Sequence, residues 1–228
     1  MELALLHSKQ LPTHLRLALV MREIHVAMTS SRARLQLLEP TLGMLPAYAE
    51  ALGRGWSPNN VEDVSASQLA EIGRDPAGFI AELLRQGGTI KLPDGTLVPK
   101  LPDRPRWMWD GELVGHIGLR WQPGTDSLPP HVLGHIGYAV VPWKRRRGYA
   151  TEGLRLMLIE ARRIGLRRVQ VTTDRLNIAS CRVIEANGGC LVEEFVEPRF
   201  GPDVRLRYRI DLAERGADPE TKETPPCE

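Results

Sequence analysis

The sequence predicts a mixed α/β fold, a β-sheet with helices packed on its faces. Three observations carry that prediction. Short apolar runs stopped by proline or glycine alternate with longer segments of helical period. Two hairpin signals, Pro93-Asp94-Gly95 and Asp110-Gly111, stand close together in the middle of the chain. The second half then reads strand, helix, strand, helix, strand, strand.

Taken in order, Arg34 to Pro40 (RLQLLEP) is short, apolar and ended by proline, and reads as the first strand. Leu42, Leu45, Tyr48, Ala49 and Leu52 follow near helical spacing, with Thr41 as a possible cap. GRGWSPNN is a loop. DPAGFIAELLRQGG has Asp75 as N-cap, Pro76 at the first helical position and Gly87-Gly88 as the stop. TIKLPDGTLVPKL and RWMWDGELVGHIGLRW read as two hairpins. LGHIGYAVVP is a strand, and the helix after it carries Leu154, Met157, Leu158 and Ala161 on one face. RRVQVTT is a strand, and NIASCRVIEANGG is a helix closed by glycines. CLVEEFV and VRLRYRIDL are the last strands. No internal repeat is present. The expected organisation is an N-terminal extension over 1–33, one domain over 34–212 and a disordered tail over 213–228, which lacks apolar content.

Bulk composition narrows the classes. A chain of 228 residues suits one domain with extensions, and 42% hydrophobic with 25% charged residues is ordinary for a globular protein. A formal net charge of +2 is too small to imply a nucleic-acid partner by itself. Three cysteines, an odd number without a CxxC pair, do not make a disulfide framework, and a reducing, cytoplasmic compartment is the simpler reading. No apolar run approaches the ~20 residues of a membrane-spanning helix. His131 and His135 are four apart, but they flank Gly134 at a strand entrance, so no metal is expected.

The feature with most chemistry in it is VVPWKRRRGYATEGLRLML, Val140 to Leu158. Standing alone, Lys144 to Arg147 could be a solvated turn or an RNA-binding patch. In context, a strand ends at Pro142 and a helix starts near Gly148. The first N–H groups of a helix lack internal partners and carry partial positive charge, so a strand feeding straight into them makes an anion site. Gly148 and Ala150 permit close backbone approach, Thr151 adds a hydroxyl, and Arg145, Arg146 and Arg147 supply charge-assisted contacts. The segment is neither a P-loop nor the dinucleotide glycine fingerprint.

Arg145-x-x-Gly148-x-Ala150-Thr151 resembles the Arg/Gln-x-x-Gly-x-Gly/Ala motif of the GNAT superfamily of acyl-CoA-dependent N-acyltransferases. Val140-Val141-Pro142 before the loop, Asn177-x-x-Ser180 opening the next helix, and Ala186 to Gly189 after it agree in order and spacing. LEPTLGMLPAYAEALGRGW and HIGY…RRRGYAT are similar to one bacterial branch of these enzymes. The resemblance spans roughly Arg34 to Leu212, and its specific block is Gly134 to Gly189.

The resemblance implies a GNAT fold: a mixed central sheet of about seven strands, helices on both faces, and fourth and fifth strands splayed around the pantetheine arm of acetyl-CoA. Ala139, Val140 and Val141 would pair with that arm, and the amides from Arg146 through Tyr149 to Thr151 would hold the pyrophosphate. Asn177 and Ser180 would sit near the thiol end, and Arg182 could meet a phosphate. Acetyl would pass directly to an amine of a small molecule or protein in a ternary complex, in a monomer or homodimer. The tyrosine that relatives place after the Asn/Ser pair is replaced here by Val183-Ile184-Glu185. Tyr138 and Cys181 are therefore the remaining candidates for the acid, and His135 or Glu112 for the base. Trp107 and Trp109 are either core or an apolar wall of the acceptor pocket. A non-catalytic acyl-CoA sensor is the alternative of another class, and a basic RNA-associated module a third.

Overall fold

The computed structural model describes residues 34–92 and 95–212, with nine strands and five α-helices among them. The strands are β1 (Gln36–Leu38), β2 (Thr89–Lys91), β3 (Leu97–Pro99), β4 (Asp103–Trp109), β5 (Leu113–Arg120), β6 (Ile136–Val140), β7 (Arg168–Asp174), β8 (Cys190–Val196) and β9 (Val204–Asp211). The helices are α1 (Leu45–Gly53), α2 (Ser65–Arg74), α3 (Pro76–Leu84), α4 (Tyr149–Arg163) and α5 (Ile178–Glu185). No helix among the described residues is long and apolar enough to cross a membrane. The expectations for 1–33 and 213–228 lie outside the described residues.

Seven of the strands form two sheet halves, in the orders β1-β4-β5-β6 and β7-β9-β8, and β2-β3 is a separate hairpin. Every ladder is antiparallel. The expected single sheet is thus interrupted between β6 and β7, the pair that the resemblance predicts to splay. The halves touch at the head of β6, where His135 N–H donates to Gln170 C=O at 2.7 Å. Gly134 permits this approach: a Cβ there would lie 3.1 Å from Gln170 O and 3.2 Å from Thr172 N, both backbone atoms.

Two cores lie on opposite faces of the first half. Alternation along β4 puts Trp107 into one and Met108 into the other. The first core joins Trp107, Leu113 and Ala139 to α1, α2 and α3 through Tyr48, Trp56, Ile72 and Phe79. The second joins β5, β6, β7 and β9 to α4 and α5 through Leu154, Met157, Ala161 and Ile184. β5 serves both, and its register shifts opposite Met108/Trp109. In such a bulge two successive residues share a face, here Val114 and Gly115, so Ile117 and Leu119 at odd positions follow Val114 into the second core. Before the bulge, ordinary alternation puts Leu113 in the first core and Val114 in the second.

The elements depart from the sequence reading in particular places. Thr41 makes no side-chain cap, because Leu42–Met44 forms a 3-10 turn and α1 starts at Leu45 with Pro46 in its first turn. Asp75 does cap α3, its Oδ1 accepting from Gly78 N–H at 2.9 Å, but the helix ends at Leu84, before the two glycines. α2 is an addition, discussed below.

Candidate functional site

The opening between the sheet halves exposes one edge of β6. Val141 N–H donates to Val114 C=O at 3.0 Å, and Arg120 N–H donates to His135 C=O at 2.8 Å. Peptide groups of alternate residues therefore face β5, and those of Tyr138 and Val140 face the opening. Two side chains confirm the direction. Asn60 Nδ2 donates to Tyr138 C=O at 2.8 Å, and Arg145 Nε donates to Val140 C=O at 3.0 Å.

At the far end of β6 the chain turns through Pro142–Lys144 into α4. Gly148 is the N-cap, with φ +80°, and contributes no capping side chain. The first helical bond runs from Glu152 N–H to Gly148 C=O at 3.0 Å. The N–H groups of Ala150 and Thr151 thus leave the helix end without an intrahelical acceptor. Arg146, at φ 60°, is the one non-glycine residue with positive φ among the described residues, a conformation that costs energy and clusters at ligand sites. Arg145, Arg146, Arg147 and Gly148 are exposed, and nothing lies within 4 Å of a Cβ built on Gly148. The local chemistry suits an anion.

Lys144 does not belong to that exposed set. It is 6% exposed, and its Nζ lies 2.6 Å from Asp110 Oδ1 and 3.1 Å from Glu112 Oε2. Tyr149 donates its hydroxyl to Asp110 Oδ2, so its phenol is turned to the β4-β5 hairpin. Burial by itself would raise the Asp110 carboxyl, but Lys144 and Tyr149 outweigh it and hold the group below its ordinary value. The Asp110-Gly111 turn therefore fastens the start of α4.

On the other side of the opening, Asn177 caps α5, with Oδ1 accepting from Ser180 N–H at 3.1 Å. Ser180 Oγ lies 2.9 Å from the Tyr138 hydroxyl. Tyr138 thus spans from β6 to α5, and burial pushes its phenol up to about 12. Arg182 is exposed one turn further on, and Cys181 is buried and free. Among the expected residues, Tyr138, Val140, Arg145, Asn177 and Ser180 meet around one opening.

Ala139 and Val141 turn their peptide groups to β5 and not to the opening, which corrects two expectations, and His135 and Trp107 correct two more. His135 is wholly buried; its Nδ1 accepts from Gln170 N–H at 3.0 Å, and burial pushes it down to about 4. It holds the join between the halves and has no face open to an acceptor. Glu112 is an exposed carboxylate engaged by Lys144 rather than by the β6 edge. Trp107 is 0% exposed and stacks on Tyr48 with centroids 4.6 Å apart, so it is core and no pocket wall. Trp109 is partly buried against the same core. Sequence reasoning missed Asn60, Asp110 and Arg54, whose guanidinium sits 3.4 Å over the Trp143 ring. It also missed Asn187, which donates to Thr151 C=O at 3.2 Å and ties α5 to α4. Among the described residues no group of three or more His, Cys, Asp or Glu could hold a metal ion.

The model of the acetyltransferase (GNAT) family matches residues 66–188, more than half of the chain, and the chain belongs to that family. Solved structures share the fold at low identity. The microcin C7 self-immunity acetyltransferase MccE, in complex with acetyl-CoA and AMP, is 11% identical over 79% of this chain and 94% of its own, with a TM-score of 0.51. RimL, a ribosomal alpha-N-protein acetyltransferase in complex with coenzyme A, is 15% identical over 78% and 93%, with a TM-score of 0.51. A structure from Vibrio cholerae, provisionally assigned as a ribosomal-protein-serine acetyltransferase, is 16% identical over 78% and 94%, with a TM-score of 0.50. No curated protein matches the chain.

Proposed function

We propose that this chain is an N-acetyltransferase that moves acetyl from acetyl-CoA directly to an amine, in a ternary complex and in the cytoplasm. The observation that carries the reading is the β6 edge: peptide groups of Tyr138 and Val140 face an opening that leads to the start of α4. The Ala150 and Thr151 amides, with Arg145 to Arg147 around them, suit a pyrophosphate. Tyr138 N–H is placed to donate to the oxyanion as the amine nitrogen adds to the thioester carbonyl. When the carbon–sulfur bond breaks, the Tyr138 hydroxyl gives its proton to the thiolate, and Ser180 orients it. The amine proton leaves to water. A phenol held near 12 keeps its proton at neutral pH until the thiolate leaves, and the phenolate then regains a proton from water.

Calorimetry with acetyl-CoA tests the reading, using Gly148→Asp as control. A Cβ at Gly148 meets no protein atom within 4 Å, and aspartate at φ +80° adds about 1–2 kcal/mol of left-handed strain, so the fold should persist while the affinity falls at least about 100-fold through charge repulsion. Equal affinity of both proteins would remove the anion site. Binding without thiol release to any amine would leave an acyl-CoA sensor instead.

A further inference from the structure

The face of β5 and β6 beneath α1 to α3 contains a gap in side chains. His116, Gly118 and Arg120 share that face of β5, and Gly137 and Ala139 share it on β6. The register pairs His116 with Ala139 and Gly118 with Gly137, so two glycines lie side by side. They leave a floor of bare backbone. A Cβ on Gly118 would lie 3.4 Å from His116 Nε2, and one on Gly137 would lie 3.8 Å from Arg120 Nη2. His116 and Arg120 therefore flank this notch. Both glycines are half-buried rather than sealed.

The notch adjoins the reacting position assigned above. The peptide nitrogen of Tyr138 is bonded to the carbonyl carbon of Gly137, so the notch is one peptide group from the proposed oxyanion donor. Asn60 holds the next carbonyl, that of Tyr138. Arg120 makes no ion pair and no side-chain hydrogen bond among the described residues; its surroundings desolvate it and lower its pKa, while the nearby charge of Asp103 opposes that. Its strand partner Asp103 is engaged elsewhere, by Lys100 at 3.2 Å and by Gln86 Nε2 at 3.3 Å. His116 Nδ1 is a buried atom without a partner, and burial followed by the charge of Arg120 pushes the ring down to about 4. The imidazole is neutral at pH 7, so it neither repels a cationic amine nor adds a second charge for an anion.

We infer that the acceptor is a small amino acid, bound with its free carboxylate on Arg120 and its amine over the Gly137–Tyr138 peptide. This rests on the acetyltransferase reading. A guanidinium offers two parallel N–H donors that fit a carboxylate, which explains an arginine whose N–H groups bond no protein acceptor beside a bare floor. Arg120 Nη2 lies 3.8 Å from where a Cβ on Gly137 would stand, so the two ligand groups lie within a few carbons of each other. A protein N-terminus offers a carboxylate at that separation only when it is Asp or Glu, and a polyamine has none at all.

The experiment follows thiol release from acetyl-CoA with the common amino acids and, in parallel, their carboxamides. Wild type, Arg120→Gln and Arg120→Lys are compared. Wild type should favour at least one amino acid over its carboxamide by about tenfold or more in kcat/KM. Arg120→Gln should erase that preference by raising KM for the amino acid, with acetyl-CoA affinity unchanged. Arg120→Lys should recover it in part. Carboxamides used as well as amino acids by wild type, or a preference that survives Arg120→Gln, would overturn the inference while leaving the acetyltransferase intact. Should no amine release thiol, calorimetry of the amino acids with the coenzyme A-loaded protein decides. Binding lost in Arg120→Gln upholds the notch and overturns the acetyltransferase; absence of binding overturns the notch.

Discussion

Asp110→Asn should weaken the protein through the buried ion pair at the start of α4. The side chains of Lys144 and Asp110 are 7% and 12% exposed and 2.6 Å apart. Removing one charge of a buried pair costs about 3–5 kcal/mol, chiefly because the other is left unpaired. Glu112 remains 3.1 Å from Lys144, but its side chain is 81% exposed and such a contact is worth under about 1 kcal/mol. The expected loss is therefore about 3 kcal/mol. With a urea slope near 2 kcal/mol/M, that moves the midpoint down by about 1.5 M. The Asp110 carboxyl is held below its usual value. A depressed carboxylate contributes stability above its unfolded pKa of about 3.9 and loses it as pH falls through the lower folded value. The gap between wild type and variant should thus be flat from pH 5 to 8 and close in stronger acid. Adding Lys144→Met should restore most of the loss, since both charges are then gone. A midpoint shift under about 0.5 M, or a double variant weaker than the single, would refute the reasoning.

Other changes separate catalysis from packing. Tyr138→Phe should lower kcat by about 100-fold with the acetyl-CoA KM unchanged. Because burial raises this phenol to about 12, the wild-type rate should show no falling limb below about pH 10 from its ionisation. A limb near pH 8 that vanishes in Tyr138→Phe would contradict the assignment. Trp107→Ala should cost about 3–5 kcal/mol in denaturant unfolding, since the ring is fully buried and stacked on Tyr48. Gly134→Ala should lose about 2 kcal/mol, because its Cβ meets backbone at 3.1 and 3.2 Å. In a domain of this size that lowers Tm by roughly 4–8 °C, readable by calorimetry.

Local pattern predicted most of the elements, and pairing over long sequence separations decided the rest. Leu154, Met157, Leu158 and Ala161 sit at helical spacing and are all buried in α4. α2 gave no such signal: in SASQLAEIGR only Ile72 is buried, so the helix presents mostly polar residues. The turn into α4 was legible because its backbone requirements are local, a glycine at positive φ where a helix begins. Lys144 was not. Within KRRR it looks like its neighbours, and only Asp110, 34 residues earlier, turns it inward. Asn60 was hidden for the same reason, since its partner carbonyl is 78 residues away. His135 misled because a histidine on a strand carries no sign of whether its ring faces a substrate or a backbone amide.

A strand edge left open inside a protein is also an invitation to the wrong guest. Any extended chain, from a neighbour or from a partly unfolded copy, can zip onto such an edge if it finds alternating donors and acceptors. On β6 the acceptors are covered. Tyr138 C=O is held by Asn60 and Val140 C=O by Arg145. An incoming strand would have to evict both side chains before it could exchange bonds in pairs. The same two contacts that mark the exposed edge of β6 thus guard it against aggregation.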